Sequence, residues 1–163
     1  MDIDKFLSYD HKIARISIVV AVLIMLVGFV MGSTDDIYYV FIFVGGVWGL
    51  VFLIIDIINS IKTKKVLNEY GIENLRKEIK QDNSILFEKR TYITENYVIC
   101  HTNRPLVTPI DEIYKVEYST YKGFNFLVAT LKDQRKVSLA KVNDMVSANK
   151  LKGFLKQRNP NIE

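Results

Sequence analysis

The 163-residue sequence has a single cysteine and only two histidines. With Cys100 alone, no intramolecular disulfide can form, which is compatible with a reducing compartment. Cys100 sits in the apolar stretch Tyr97-Val98-Ile99-Cys100. Its expected role there is a small buried hydrophobe on a strand rather than a nucleophile. His101 follows it directly, but adjacent strand residues point to opposite faces. The other histidine, His11, lies near the N-terminus. A Cys–His pair or a metal-ligand set therefore has little to draw on. A phosphate-binding glycine loop and a Ser–His–Asp arrangement are also missing. The carboxylate pair Asp111-Glu112 follows Pro109, where acidic turn residues are routine. The expectation is a non-enzyme with no cofactor, no metal and no catalytic residue.

The chain also lacks a block of one charge sign. Three of its 22 Lys and Arg and six of its 18 Asp and Glu lie at or before Ile58, leaving 19 bases against 12 acids beyond it. Those charges are interleaved, unlike a polybasic nucleic-acid tail. A nucleic-acid partner is not expected, because no clustered basic face or matching fold signature is present.

What the first third does have is apolar length. Ile16 to Met31 is broken only by Ser17 and Gly28. With Ile13 and Ala14 before it, it reaches the roughly 17–20 residues a helix needs to cross a bilayer core. Ile37 to Ile58 is long enough to cross with some tilt. The predicted spans are about 13–32 and 37–58. Gly32-Ser33-Thr34-Asp35-Asp36 makes a short polar turn between them, so the helices are expected to be antiparallel neighbours. Lys5, Lys12 and Arg15 precede the first span, the turn has only two aspartates, and Lys62, Lys64 and Lys65 follow the second. That asymmetry predicts a multi-pass protein of the plasma membrane with both termini cytoplasmic. Tyr38 and Tyr39 lie where amphipathic aromatics belong, just inside the outer boundary. The competing reading is a signal peptide cleaved near Val30-Met31-Gly32. Its apolar core would be long for that role, and a second span follows at once.

Within the spans, Gly28 and Gly32, and Gly45 and Gly49, are small-xxx-small pairs that let helix backbones approach closely. Packing within the hairpin is the preferred reading, with a homo-oligomer interface as the alternative. Trp48 is near mid-span, against the partner helix or lipid. Asp56 is an ionisable residue near the inner end, of the kind that is functional when deep in a membrane. One turn from Asn59 and near Lys62, it is expected at the water interface.

The sequence divides into 1–58 (N-terminal segment and hairpin), 59–83 (cytoplasmic linker helices) and 84–163 (a mainly-β domain). Ile72, Leu75 and Ile79 recur at helical spacing. Gly71 is placed to end one helix and let another begin, or to act as a hinge. Beyond Ser84, Ile85–Phe87 is a short apolar run, and Tyr92–Thr94, Tyr97–Cys100, Leu106–Thr108, Ile113–Tyr118, Phe124–Leu131 and Lys136–Leu139 are strand candidates. Glu95-Asn96 spaces a tight hairpin, and Asn103-Arg104-Pro105 a turn. Tyr114, Val116 and Tyr118 are expected on one face. A final helix is predicted from about Lys141 to Gln157, with Val142, Met145, Val146, Leu151, Phe154 and Leu155 apolar and Pro160 beyond its end. The fold class is a membrane α-helical hairpin plus an α+β, mainly β, soluble domain: a bent sheet or partly open barrel capped by a C-terminal helix.

Three passages carry a likeness to a known family. Tyr92-Ile-Thr-Glu-Asn-Tyr-Val-Ile99 is similar to its early hairpin, and Pro109-Ile-Asp-Glu-Ile-Tyr-Lys-Val116 to its acidic turn into a central strand. Phe126-Leu-Val-Ala-Thr-Leu-Lys-Asp-Gln-Arg-Lys-Val137 is similar to its last hairpin. Across about residues 85 to 158 the chain resembles the bacterial pleckstrin-homology-like domain, in the versions found behind two membrane helices. The resemblance implies a strongly bent sheet closed by the C-terminal helix, acting by binding and without catalytic residues. About six strands are read here against the family's usual seven, with Tyr118 to Asn125 as the place for another. Eukaryotic relatives bind phosphoinositides through a basic cluster between the first two strands. Lys89 and Arg90 lie near that place beside Glu88 and read as a solvated edge.

The leading expectation for function is a membrane-tethered interaction module with the lipid bilayer and a protein as partners. The alternatives are anionic-lipid or membrane-surface sensing, with Lys62, Lys64 and Lys65 meeting headgroups, and a small accessory subunit of a transporter or export complex.

Overall fold

The computed structural model describes residues 2–30, 37–102 and 104–163. Among them are five α-helices: α1 (Ile3–Leu7), α2 (Lys12–Val30), α3 (Ile37–Tyr70), α4 (Ile72–Lys80) and α5 (Met145–Arg158). There are seven strands: β1 (Ile85–Phe87), β2 (Thr91–Ile93), β3 (Tyr97–His101), β4 (Pro105–Pro109), β5 (Ile113–Tyr121), β6 (Phe124–Leu131) and β7 (Lys136–Val142). A 3-10 turn, Ile110–Glu112, leads into β5. The chain forms two compact units. A helical unit comprises Tyr9–Lys65, and a β unit joins Met1–Ser8 to Val66–Glu163.

In the helical unit, α2 and α3 are each long and apolar enough to cross a membrane. The 19 residues of α2 extend roughly 28 Å at a rise of about 1.5 Å each, close to the ~30 Å hydrocarbon core. The 34 residues of α3 extend roughly 51 Å, well beyond what that core requires. Small residues set the contact between the two. Ala14, Ala21 and Gly28 are the buried positions of α2 and recur every seven residues. A Cβ added at Gly45 would meet Met25 Cγ at 2.7 Å and the Ala21 carbonyl oxygen at 2.9 Å; one at Gly49 would lie 3.2 Å from Ala21 Cβ. Gly45 and Gly49 therefore close against α2 itself, where a methyl group would force the backbones apart. The Trp48 ring lies 5.2 Å from that of Phe52 on the same helix and is half exposed. Gly32, the turn 32–36, the cleavage site near Val30-Met31-Gly32 and the Tyr38 side chain lie outside the described residues. Tyr39 is exposed.

The β unit contains two antiparallel sheets, β1-β2-β3-β4 and β5-β6-β7. Inner-face residues Phe87, Ile93 and Val98 meet Val116, Leu127, Ala129, Leu139 and Val142 from the second sheet, and Leu151 and Leu155 of α5 seal the core. Asp144 caps α5 by accepting from the Ser147 N–H at 2.7 Å. That bond holds the Asp144 carboxyl below the usual range. Glu95-Asn96 makes the β2–β3 turn, where Thr94 Oγ1 accepts from the Tyr97 N–H and the Thr94 N–H donates to the Tyr97 carbonyl. Lys122 and Gly123, both at positive φ, link Tyr121 to its partner Phe124. Two left-handed residues match the twist of a two-residue hairpin.

The outer face of the first sheet is also covered. Tyr92 and Ile99 pack with Leu75 and Ile79 of α4 and with Phe6 and Leu7 of α1. All three residues of β2 are buried as a result. Phe6 lies edge-on to Tyr92 at 4.8 Å. Arg76 pairs with Asp4 at 2.7 Å, and His101 Nε2 is 3.1 Å from the Ser8 carbonyl oxygen. Buried Glu78 of α4 accepts from Asn96 Nδ2 at 2.6 Å, pinning that helix to the β2–β3 turn.

Several details differ from the sequence expectations. The segment expected as a linker, 59–83, divides at Lys65/Val66, and α4 is part of the β unit's packing. The N-terminal segment does not go with the hairpin as far as Ser8, because Phe6 and Leu7 bury in the β unit. Among the described residues there are seven strands rather than about six, with β5 and β6 running through 118–125 up to the turn. A bulge between Ile113 and Lys115 breaks the alternation expected for Tyr114, Val116 and Tyr118. Val116 is buried while Tyr114 is exposed. Helix α5 starts at Met145, because Asp144 caps it there and Val142 completes β7. Met145 and Val146 are exposed instead of packed. Gly71, at φ 72°, separates α3 from α4.

Leu7 is 1% exposed, so Leu7→Ala is expected to destabilise the β unit by about 2–5 kcal/mol. Denaturant unfolding of the full chain, followed by near-ultraviolet signals of the β unit, measures this. An unchanged midpoint would show that α1 does not belong to the folded unit.

Candidate functional site

Three surface features group chemically distinct side chains. The largest is an open cleft of about 740 Å³ in the β unit. Its walls include Tyr70, Tyr97, Glu95, Asp111, Glu112 and Arg158. The 3-10 turn brings Asp111 and Glu112 there because Ile110 beneath them is anchored in the core. Arg158 is already committed, its Nε donating to the Thr94 carbonyl at 2.7 Å. Asn159 Nδ2 likewise donates to the Ile110 carbonyl at 3.0 Å. The cleft leads to the outer edge of β5. There the Glu163 N–H donates to the Tyr114 carbonyl at 3.0 Å, and the Val116 N–H donates to the Glu163 carbonyl at 3.1 Å. This pair of bonds has the pattern of parallel strand pairing. Lys152 Nζ then caps the Val116 carbonyl at 3.2 Å. From Glu117 to Tyr121, β5 has no strand on that side among the described residues. The Tyr114 hydroxyl donates to Glu163 Oε1 at 2.8 Å, and that carboxylate raises the phenol's pKa.

The second feature is a concavity of about 390 Å³ lined by Glu88, Lys89, Arg90, Lys141 and Asn143. Glu88 and Lys89 have positive φ, so the β1–β2 turn folds back. Thr91 at the start of β2 reaches β7 through its Oγ1, which donates to the Leu139 carbonyl at 3.5 Å. Lys89 and Arg90 thus gain a third cation, Lys141, from far along the chain. That neighbour carried no local sequence signal.

The third lies in the helical unit. His11 Nδ1 is 2.9 and 3.0 Å from the two carboxylate oxygens of Asp56. The Tyr9 ring meets the His11 ring edge-on at 4.5 Å. Burial raises the Tyr9 phenol's pKa, and Asp56 adds to the effect while a bond with Asn59 opposes it. His11 stands one residue before α2, so Asp56 is level with that helix's first turn. Asp56 is therefore paired with His11 rather than isolated. Sequence reasoning isolated Asp56 but not its partner, since 45 residues separate the two.

Lys62, Lys64 and Lys65 are exposed on α3. No group of three His, Cys, Asp or Glu is placed to hold a metal ion among the described residues. Cys100 is buried, and burial pushes its thiol up. It should therefore stay protonated at neutral pH and resist a disulfide reagent in the folded protein, then react once in denaturant. Rapid labelling of the native chain would reverse that reading. No protein-family model matches the sequence, and no curated protein matches it.

Proposed function

We propose that this chain is a membrane-tethered, non-enzymatic interaction module. In this reading α2 and α3 cross the plasma membrane as an antiparallel hairpin and hold a pleckstrin-homology-like β unit at the cytoplasmic face. The resemblance of the sequence, the four- and three-stranded sheets and the closing helix α5 favour that fold family. Lysines and arginines before the first span and after the second, with none in residues 32–36 between them, favour the orientation. Connectivity adds an independent argument. The chain leaves the β unit after Ser8 and returns to it at Val66, so any crossings between those points are even in number.

The observation that carries the binding role is the edge of β5. Its backbone already pairs with one residue outside the sheet, Glu163, through two hydrogen bonds. The unpaired stretch beyond offers the same chemistry to a partner strand. Tethering raises the local concentration of a membrane partner without adding contact area. A photoreactive phenylalanine analogue at Tyr118 is expected to capture a partner chain in intact membranes. Thr120→Pro removes an edge N–H at a place where an edge strand tolerates proline, and should abolish capture, whereas Thr120→Val, which loses only the hydroxyl bond to Asn125 Oδ1, should retain it. Capture that is absent, or indifferent to Thr120→Pro, counts against the edge.

The concavity at Lys89, Arg90 and Lys141 favours a second reading, recognition of anionic lipid. Near an anionic surface each basic residue contributes about 1 kcal/mol, so Lys89→Gln with Arg90→Gln should weaken binding on the order of thirtyfold. Titrating the full chain in neutral detergent with phosphatidylglycerol measures this. Equal affinity for the double variant would remove the concavity from consideration.

A further inference from the structure

The tip of the β5–β6 hairpin is apolar and exposed, and it lies at the far end of the proposed edge, which reaches Tyr121. Tyr121 and Phe124 flank the turn and are 63% and 50% exposed. Between them stands Lys122, and Lys141 Nζ sits 3.7 Å from the centre of the Phe124 ring. The hairpin is tied to the turn before α5, where Asn125 Nδ2 donates to the Asn143 carbonyl at 3.2 Å. Just past that turn, Met145 and Val146 are 61% and 76% exposed. One end of the β unit therefore gathers aromatic and aliphatic side chains with lysines among them.

We infer that this end docks onto an anionic bilayer surface. Tyr and Phe beside Lys are side chains that sit at the boundary between acyl chains and headgroups. The charge also selects the occupant. Lys122 in the turn, and Lys141 with Lys89 and Arg90 around the concavity, repel a second copy of this surface and attract anionic headgroups. The acids nearby are Glu88 and Asp144, and Asp144 is engaged in capping α5. The turn has the stiffness insertion requires, since Lys122 and Gly123 close it in two residues. This inference rests on the reading that α2 and α3 cross a bilayer, which keeps a lipid surface within reach of the tether.

The test uses the full chain reconstituted in vesicles of phosphatidylcholine, or of equal parts phosphatidylcholine and phosphatidylglycerol, with or without bromine on the acyl chains. The sequence has one tryptophan, Trp48. Its quenching by brominated lipid in the unaltered protein reports on the helices alone. Phe124→Trp in a Trp48→Phe background reports on the hairpin tip, and Tyr121→Trp is a second reporter should the first perturb folding. The expected result is loss of emission from the introduced indole in brominated vesicles containing phosphatidylglycerol. That loss shrinks with added salt and with Lys122→Glu or Lys141→Glu. Quenching of Trp48 without quenching at the tip overturns the docking and leaves the spans standing. Quenching of neither overturns the spans and the docking with them. Tip quenching that ignores lipid charge overturns recognition of an anionic surface. A blue shift that grows with protein density, without bromine quenching, overturns lipid docking in favour of a second copy.

Discussion

Phe6 and Leu7 pack on the outer face of β2 and β3, and that contact constrains the whole chain. The inner face of the same hairpin is committed to the main core through Ile93 and Val98. A short hairpin with apolar side chains on both faces would leave one of them in water without a second cover. Helix α4, with Leu67 and Tyr70 at the end of α3, supplies part of that cover and α1 another part. The two come from opposite sides, in sequence, of the long apolar helices, so the β unit is completed only by residues on both sides of Tyr9–Lys65. Arg76 with Asp4, and His101 with the Ser8 carbonyl, fix the short α1 where two apolar side chains alone would hold it weakly.

The same double passage shapes the helical unit. Two connections run between the units, one after Ser8 and one through α3 at Lys65. The helices are matched by small residues at Ala14, Ala21, Gly45 and Gly49, which let the backbones approach. The His11–Asp56 pair then ties the start of α2 to α3. A longitudinal slip of one helix would break the pair and push Gly45's neighbours into side chains that need the space. Packing and polar pairing thus specify the same register. Gly71, at φ 72°, then ends α3 and lets α4 turn onto the sheet, because a left-handed backbone costs glycine least.

Surface chemistry in the β unit follows from which turns the fold brings together. Lys89 and Arg90 lie in the β1–β2 turn of one sheet and Lys141 in β7 of the other. The β5 edge lies beside the last residue, Glu163. A strand edge, a basic concavity and an apolar hairpin tip are three chemically different surfaces on one small unit.

Local pattern was enough to read the long apolar helices, the break at Gly71, the Glu95-Asn96 turn and the final helix, because each is governed by neighbours within a few residues. Periodicity also placed Leu75 and Ile79 on one helical face. It could not say what that face meets. The bulge at Ile113–Lys115 was hidden, since one extra residue reverses the alternation without changing composition. The start of α5 was read too early because Val142 fits a strand or a helix equally well, and the Asp144 cap decides between them. Sequence by itself determined the elements and the sharp division between apolar and charged halves, since hydrophobic length and period are local properties. Only the tertiary structure decided that residues 2–8 belong with the β unit, that Asp56 has His11, and that Lys141 joins Lys89 and Arg90. Those contacts join residues roughly 45 or more positions apart, and their partners are chosen by burial and charge in three dimensions, for which a linear pattern carries no signal.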